Sequence, residues 1–105
     1  MKLEEKVFGI IAEAGDAKSD IMYSLKKIKE GNYNEARTLI SQSSKKLESA
    51  SKIHIELLSE AMNSKDENTN FLVVHSEDHY SNAVFAQSLV SELIDIFEII
   101  DPRNK

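Results

Sequence analysis

Apolar side chains recur at steps of three and four residues along most of this chain, which is the spacing of one face of an α-helix. One proline and three glycines among 105 residues leave little to interrupt such helices. The pattern predicts an all-α fold: an antiparallel three-helix bundle with long helices over roughly residues 2–30, 32–63 and 69–100. Residues 1–105 are expected to form a single helical domain.

The apolar stripes of the first two helices are regular. The first stripe contains Leu3, Val7, Ile10, Ala14, Ala17, Ile21, Leu25 and Ile28. The second contains Ala36, Ile40, Ser43, Leu47, Ala50, His54, Leu57 and Ala61. Between them, Gly31 predicts the end of one helix, and Asn32 with Glu35 predicts the cap of the next. Each of these two helices is therefore expected to bury one face.

The third helix differs because it carries two apolar stripes. One contains Leu72, His75, His79, Ala86, Leu89, Leu93, Ile96 and Ile100; the other contains Phe71, Val74, Asp78, Ser81, Phe85 and Ser88. A three-helix bundle has one interior, so the first stripe is expected to face it and the second to contact another subunit. The polar run over 63–70 predicts the loop before this helix. Asp101-Pro102 is expected to end the helix, leaving 103–105 as a short tail.

Composition excludes several classes of function. The formal net charge of −5 offers no basic footprint for nucleic acid, so no nucleic-acid partner is expected. The chain has no cysteine, which excludes disulfides, thiolate zinc sites and a catalytic thiol. No apolar run approaches the roughly 20 residues of a membrane span, and the N-terminus lacks the apolar core of a signal peptide. We therefore expect a cytoplasmic protein.

The densest chemistry lies in the third helix, where His75 and His79 are one helical turn apart and Asp78 is close to both. One interpretation is a phosphoryl carrier, in which a neutral imidazole attacks phosphorus and the second histidine donates to phosphoryl oxygens. Another is a divalent-metal site, because two histidines at i and i+4 have ligand spacing. The third is a pair of partly exposed histidines with no shared role. Spacing alone leaves all three open.

Two further residues have alternative interpretations. Asp78 lies among the apolar residues of the second stripe, where a lone buried carboxylate is costly. It is either an acid at the edge of the surface or one of several copies that meet at a subunit interface and share a cation. His54, on the buried stripe of the second helix, is expected to be a core or boundary histidine that could pack beside the third-helix site.

Three segments resemble the enzyme IIA component of the lactose/cellobiose (chitobiose) class of the bacterial phosphoenolpyruvate-dependent sugar phosphotransferase system. They are 11–19 in the first helix, 30–33 with Ala36 at the first turn, and Val74-His75-Ser76-Glu77-Asp78-His79 in the third helix. The last is the most specific, and the resemblance covers nearly the whole chain. It implies an antiparallel three-helix protomer that assembles as a homotrimer.

The resemblance also implies residue roles. His75 would accept phosphate from the histidine-containing phosphocarrier protein and pass it to a cysteine of the cognate enzyme IIB, which serves the membrane permease enzyme IIC. His79 would support the phosphoryl group. Asp78 from three subunits would hold a structural divalent cation, with Mg²⁺ the expected ion, at the trimer axis. The carrier would serve the uptake of a β-linked disaccharide of the lactose, cellobiose or chitobiose type.

Two positions depart from the family pattern. The family commonly has Gln where Glu77 stands, and an ionised Glu cannot donate a hydrogen bond. A negative charge beside His75 is expected to raise the pKa of its imidazole and to repel an incoming phosphoryl group. In the second helix, Ser51 and His54 stand where the family has a His followed three residues later by Gln, so no family role is carried onto them. The alternative function is a non-enzymatic helical assembly module, such as a paralogue that has lost transfer.

Overall fold

Three long helices account for almost all of the described chain. A computed structural model describes residues 2–63 and 67–104, with α1 over Leu3–Lys29, α2 over Tyr33–Met62, α3 over Glu67–Ile100 and a short 3₁₀ helix over Pro102–Asn104. Each long helix packs against the other two, in a rod of 59 × 18 × 16 Å. The predicted all-α three-helix fold is confirmed. Within these residues, no helix has an apolar stretch long enough to cross a bilayer.

The turn between α1 and α2 follows from its local sequence. Gly31 has φ = +78°, a conformation that favours glycine. Its N–H donates to Ile28 O at 2.9 Å, while the Asn32 N–H donates to Lys27 O at 2.9 Å. The Asn32 side chain then accepts the Glu35 N–H at 3.2 Å. The predicted glycine end and asparagine cap are both confirmed, and so short a turn makes the two helices antiparallel neighbours.

The connection between α2 and α3 is shorter than the sequence predicts. Residues 67–70 belong to α3 and not to a loop, so this part of the prediction is wrong. Packing further along α3 outweighs the weak helix propensity of these polar residues. The other loop residues, 64–66, lie outside the described part of the chain.

The core confirms the stripes of α1 and α2 and corrects that of α3. The buried residues of the first two helices include Val7, Ile10, Ala14, Ala17, Ile21, Ile28, Ala36, Ser43, Leu47, Ala50 and Leu57. On α3 the buried line is Val73, Ser76, Ala83, Val90 and Ile94. The predicted inner stripe, which contains His75 and Leu89, is half-buried or exposed. Because α3 is apolar on several sides, its pattern does not reveal which side faces the core.

The short tail after α3 folds back onto the bundle through Arg103. The buried Asp101 carboxylate accepts the Tyr33 hydroxyl of α2 and the Arg103 guanidinium, whose Nε lies 3.0 Å from Asp101 Oδ1. A second guanidinium nitrogen of Arg103 donates to Lys29 O at 3.2 Å, at the end of α1. This cluster therefore joins the ends of all three helices.

We expect Asp101→Asn to destabilise the protein at neutral pH and to have little effect in acid. Hydrogen bonds from Arg103 and Tyr33 hold the pKa of the Asp101 carboxyl well below its usual range. The resulting stability is fully present above the unfolded pKa of about 3.9 and is lost as pH falls from there through the folded pKa. Thermal melting of both proteins between pH 7 and pH 2 measures this. The difference in melting temperature between wild type and Asp101→Asn should become smaller only below about pH 4.

A matched control is Asp16→Asn, which removes an exposed carboxylate from α1. This variant should melt close to the wild-type temperature across the same pH range. A difference between wild type and Asp101→Asn that stayed constant to pH 2 would show that the Asp101 charge does not carry the interaction.

Candidate functional site

His75 and His79 form a pair on the surface of α3. Four residues of helix place one ring beside the other, with ring centroids 4.9 Å apart and planes nearly perpendicular at 87°. One turn earlier, the Phe71 ring lies parallel to that of His75, with 6.4 Å between centroids. His75 is exposed and His79 is half-buried. The His75 ring is thus framed on both sides and open to solvent.

This geometry suits transfer from one protein surface to another. The ring nitrogen of a neutral imidazole that carries no proton is a nucleophile, and the neighbouring His79 can present an N–H donor close to whatever group His75 receives. An exposed helix face does not enclose a small substrate as a typical ligand cleft does. A reaction at His75 would therefore need a partner that brings its own complementary surface.

Asp78 lies on the side of α3 that points away from the core. It is exposed, as are its apolar neighbours Phe71, Val74 and Phe85, at 70%, 59% and 69%. The exposed stripe continues along the helix through Leu89, Ile96 and Ile99. We call these residues, Phe71, Val74, Asp78, Phe85, Leu89, Ile96 and Ile99, the outer stripe. Nothing within the described residues of the chain covers them, which agrees with the expectation that this face is free to meet another subunit.

The predicted metal site needs more than one chain. Within the described residues of a single chain, no three His, Cys, Asp or Glu side chains come together as a metal site. A carboxylate on the outer stripe is of the type that binds Mg²⁺ or Ca²⁺. One Asp78 from each of three copies would supply three such oxygen ligands. The cation therefore stays a prediction that belongs to the assembly.

Glu77 lies on a different side of α3 from His75. Its Oε2 is 3.0 Å from Nδ1 of His54 on α2. Both atoms are buried, and neither has an aligned hydrogen-bond partner among the described residues. His54 also stacks on the Tyr80 ring, with 5.1 Å between centroids and 17° between planes. His54 is therefore the boundary histidine that its stripe predicts, and it packs against α3 at Glu77 and Tyr80.

The position of Glu77 corrects the expectation that its charge lies beside His75. Residues two apart on a helix do not face each other, since they are about 200° apart around the axis. Sequence reasoning assigned no role to the contact with His54, because it joins residues on two helices. The Phe71 ring beside His75 could have been found from sequence, since its i, i+4 spacing matches that of the histidine pair.

The fold and the site together define a three-helix protein that exposes a pair of neighbouring histidines on one helix face. The family described as "PTS system, Lactose/Cellobiose specific IIA subunit", in which PTS is the sugar phosphotransferase system, matches residues 5–98. The chain belongs to this family of phosphotransferase-system components, so the family resemblance is confirmed.

Individual relatives agree with this assignment. The oligo-beta-mannoside-specific EIIA component of Bacillus subtilis is 32% identical over 95 residues, which are 90% of this chain and 86% of the relative. The cellobiose-specific enzyme IIA from Bacillus anthracis has a similar structure, with TM-score 0.84, 29% identity and coverage of 96% and 93% of the two chains. IIA(Chitobiose) of Escherichia coli, solved in its complex with HPr, has a similar structure, with a TM-score of 0.80 and 27% identity. The match covers 95% of this chain and 97% of the relative.

Proposed function

We propose that this protein is a phosphoryl carrier that accepts phosphate on His75 and passes it to a cysteine of a cognate enzyme IIB. The observation that carries the proposal is the exposed His75 ring, framed by the Phe71 ring and by the His79 ring, whose centroid is 4.9 Å from that of His75. Membership of the phosphotransferase-system family supplies the type of group transferred. His79 supports the phosphoryl group by donating to one of its oxygens.

The donor we propose is the phosphohistidine of the histidine-containing phosphocarrier protein, HPr. A solved relative is a complex with HPr. A ring nitrogen of His75 attacks the phosphorus in line, an N–P bond forms, and the N–P bond to the donor breaks. The electron pair of that bond stays with the donor imidazole, which takes up a proton, while the His75 ring releases one. Catalysis in such a transfer is mostly positioning and charge stabilisation.

The second step passes the phosphoryl group to enzyme IIB, and through it supports the membrane permease enzyme IIC. We place the carrier in the cytoplasm, where its donor and acceptor would meet it. A β-linked disaccharide of the lactose, cellobiose or chitobiose type is the proposed sugar. Relatives named for oligo-beta-mannoside, cellobiose and chitobiose support this class. The sugar itself never contacts a carrier, so specificity for it belongs to the membrane partner.

The test is phosphorylation by purified partners. The protein is incubated with phosphoenolpyruvate, enzyme I and HPr, and its intact mass is recorded. A gain of one acid-labile phosphoryl group per chain, mapped to His75, is the expected result. No gain, with partners that phosphorylate a control acceptor, would favour the alternative of an assembly module that has lost transfer.

We also propose that three copies assemble through the outer stripe around a divalent cation, Mg²⁺ as the expected ion, held by Asp78. The occupant of this stripe is a second copy of the chain, because the stripe is apolar apart from Asp78, whose carboxylate supplies an oxygen ligand near the N-terminal end of α3. Three carboxylates that converge on one axis repel one another unless a cation lies between them. Burial of the outer stripe supplies the driving force for assembly.

Asp78→Leu is expected to abolish metal binding without dissociating the trimer. The substitution removes every oxygen ligand that the stripe supplies and replaces repelling carboxylates with apolar contacts. Native mass spectrometry and elemental analysis should find one cation per wild-type trimer and none in the variant. A variant that bound metal with unchanged stoichiometry would show that the ligands lie elsewhere.

A further inference from the structure

His75 and Glu77 lie on the two opposite flanks of the outer stripe. They are two residues apart, which is about 200° around the helix axis and only about 3 Å along it. Asp78 lies in the shorter arc between them, about 60° from His75 and about 100° from Glu77. The stripe that faces another copy therefore has the acceptor histidine on one side and an acidic side chain on the other.

A ring of copies closed through the outer stripe brings these flanks together. In a cyclic assembly with parallel α3 helices, one flank of each helix meets the opposite flank of the next. The two residues differ little in height along the axis. Glu77 of one copy then faces His75 of the neighbouring copy. This step rests on the carrier function and the trimer proposed above.

The Glu77 carboxylate lies against α2 of its own copy. His54 contacts it there, with 3.0 Å between Nδ1 and Oε2. The His54 side chain is 13% exposed and stacks on the Tyr80 ring, while the Glu77 side chain is 42% exposed. Neither of the two buried atoms has an aligned hydrogen-bond partner among the described residues. Each of them therefore has the other as its polar neighbour.

We propose that His54 is a positioning residue for phosphoryl transfer: it holds the Glu77 carboxylate against α2 and so keeps that negative charge away from the phosphoryl group on His75 of the neighbouring copy. A glutamate released from His54 has three rotatable side-chain bonds and can turn toward the interface. There its charge opposes the arriving phosphoryl group, which is itself an anion. Gln at the same position carries no charge and needs no such restraint.

The experiment measures the rate of phosphorylation by phospho-HPr in four proteins: wild type, His54→Leu, Glu77→Gln and the double variant. We expect His54→Leu to be slower than wild type by about tenfold, the scale of one unfavourable charge contact near a protein surface. The double variant should match Glu77→Gln within about twofold, since the charge that His54 restrains is gone. Ser49→Ala, an exposed position on the same helix, is the neutral control.

Two results overturn the proposal. One is an equal loss from His54→Leu in the wild-type background and in the Glu77→Gln background, which is the signature of a purely structural role. The other is no loss at all while the wild type is phosphorylated normally. A third result is that the wild type itself takes up no phosphate from active partners. That result refutes the carrier function, and it differs from the two results that overturn the role of His54. Circular dichroism shows whether each variant is folded. If His54→Leu is unfolded, His54→Asn replaces it, because asparagine is polar but too short to reach the Glu77 carboxylate.

Mixed trimers test the action between copies. Copies with His75→Ala cannot be phosphorylated, yet they present Glu77 to their neighbours. Consider trimers that contain two His75→Ala copies and one copy that retains His75. We expect the retained His75 to be phosphorylated more slowly when the two His75→Ala copies also carry His54→Leu. His54→Leu placed only in the copy that retains His75 should have little effect on the rate. The reverse pattern would overturn the assignment of Glu77 to the neighbour's site.

Discussion

His75→Ala is expected to abolish phosphorylation by HPr while leaving the fold intact. Each part of the expectation has its own physical reason. The imidazole is the proposed nucleophile, and alanine offers no lone pair in its place. The side chain is exposed, so its loss removes no core packing. Intact mass after incubation with phosphoenolpyruvate, enzyme I and HPr gives the first result, and helicity and thermal melting give the second.

His79→Ala is the informative comparison for this variant. It lies one turn away and removes a similar side chain, but the nucleophile remains. We expect phosphorylation to be slower, with the label still on His75, because only a donor to the phosphoryl oxygens is lost. A His75→Ala protein that still gained an acid-labile phosphoryl group would refute the assignment of the nucleophile.

Phe85→Glu is expected to convert the proposed trimer to a folded monomer. Phe85 is 69% exposed within its own chain, so the substitution should leave the helical bundle intact. In the assembly, three copies of a carboxylate would be brought together on an apolar interface, and burial of unpaired charges is costly. Sedimentation or light scattering measures the change in mass, and circular dichroism checks the fold.

Phe8→Glu provides a matched control. Phe8 is 67% exposed, nearly the same as Phe85, and the change of residue is identical. It belongs to α1, on the side that points away from the buried stripe of that helix, so it should not disturb the trimer. Loss of the trimer in both variants would show that added charge and not the outer stripe decides assembly. A Phe85→Glu trimer would exclude the outer stripe as the interface.

Local features of the fold could be predicted well from the sequence. The regular stripes of α1 and α2 predict their buried faces, because 3.6 residues per turn place such positions on one side. The turn at Gly31 and the cap at Asn32 follow from backbone geometry within a few residues. The side-by-side position of His75 and His79 is equally local, since both belong to one helix.

Features that depend on contact between helices could not be predicted. The prediction of which face of α3 becomes buried was wrong, because a helix that is apolar on several sides can bury any of them. Asp101 was expected only to mark the end of a helix, yet it binds Tyr33 from 68 residues earlier. Glu77 and His54, both departures from the family pattern, are in contact across two helices. Their pairing depends on the register between α2 and α3.

The sequence alone determined the three helices, the turn between α1 and α2, the histidine pair and the family to which the chain belongs. All of these depend on residues within one or two helical turns or on short motifs. Only the tertiary structure decided that Val73 lies on the buried line of α3 while His75 is exposed, and that Glu77 faces His54. The physical reason is that side-chain direction around a helix is fixed locally, whereas the side that becomes buried is chosen by the packing of all three helices together.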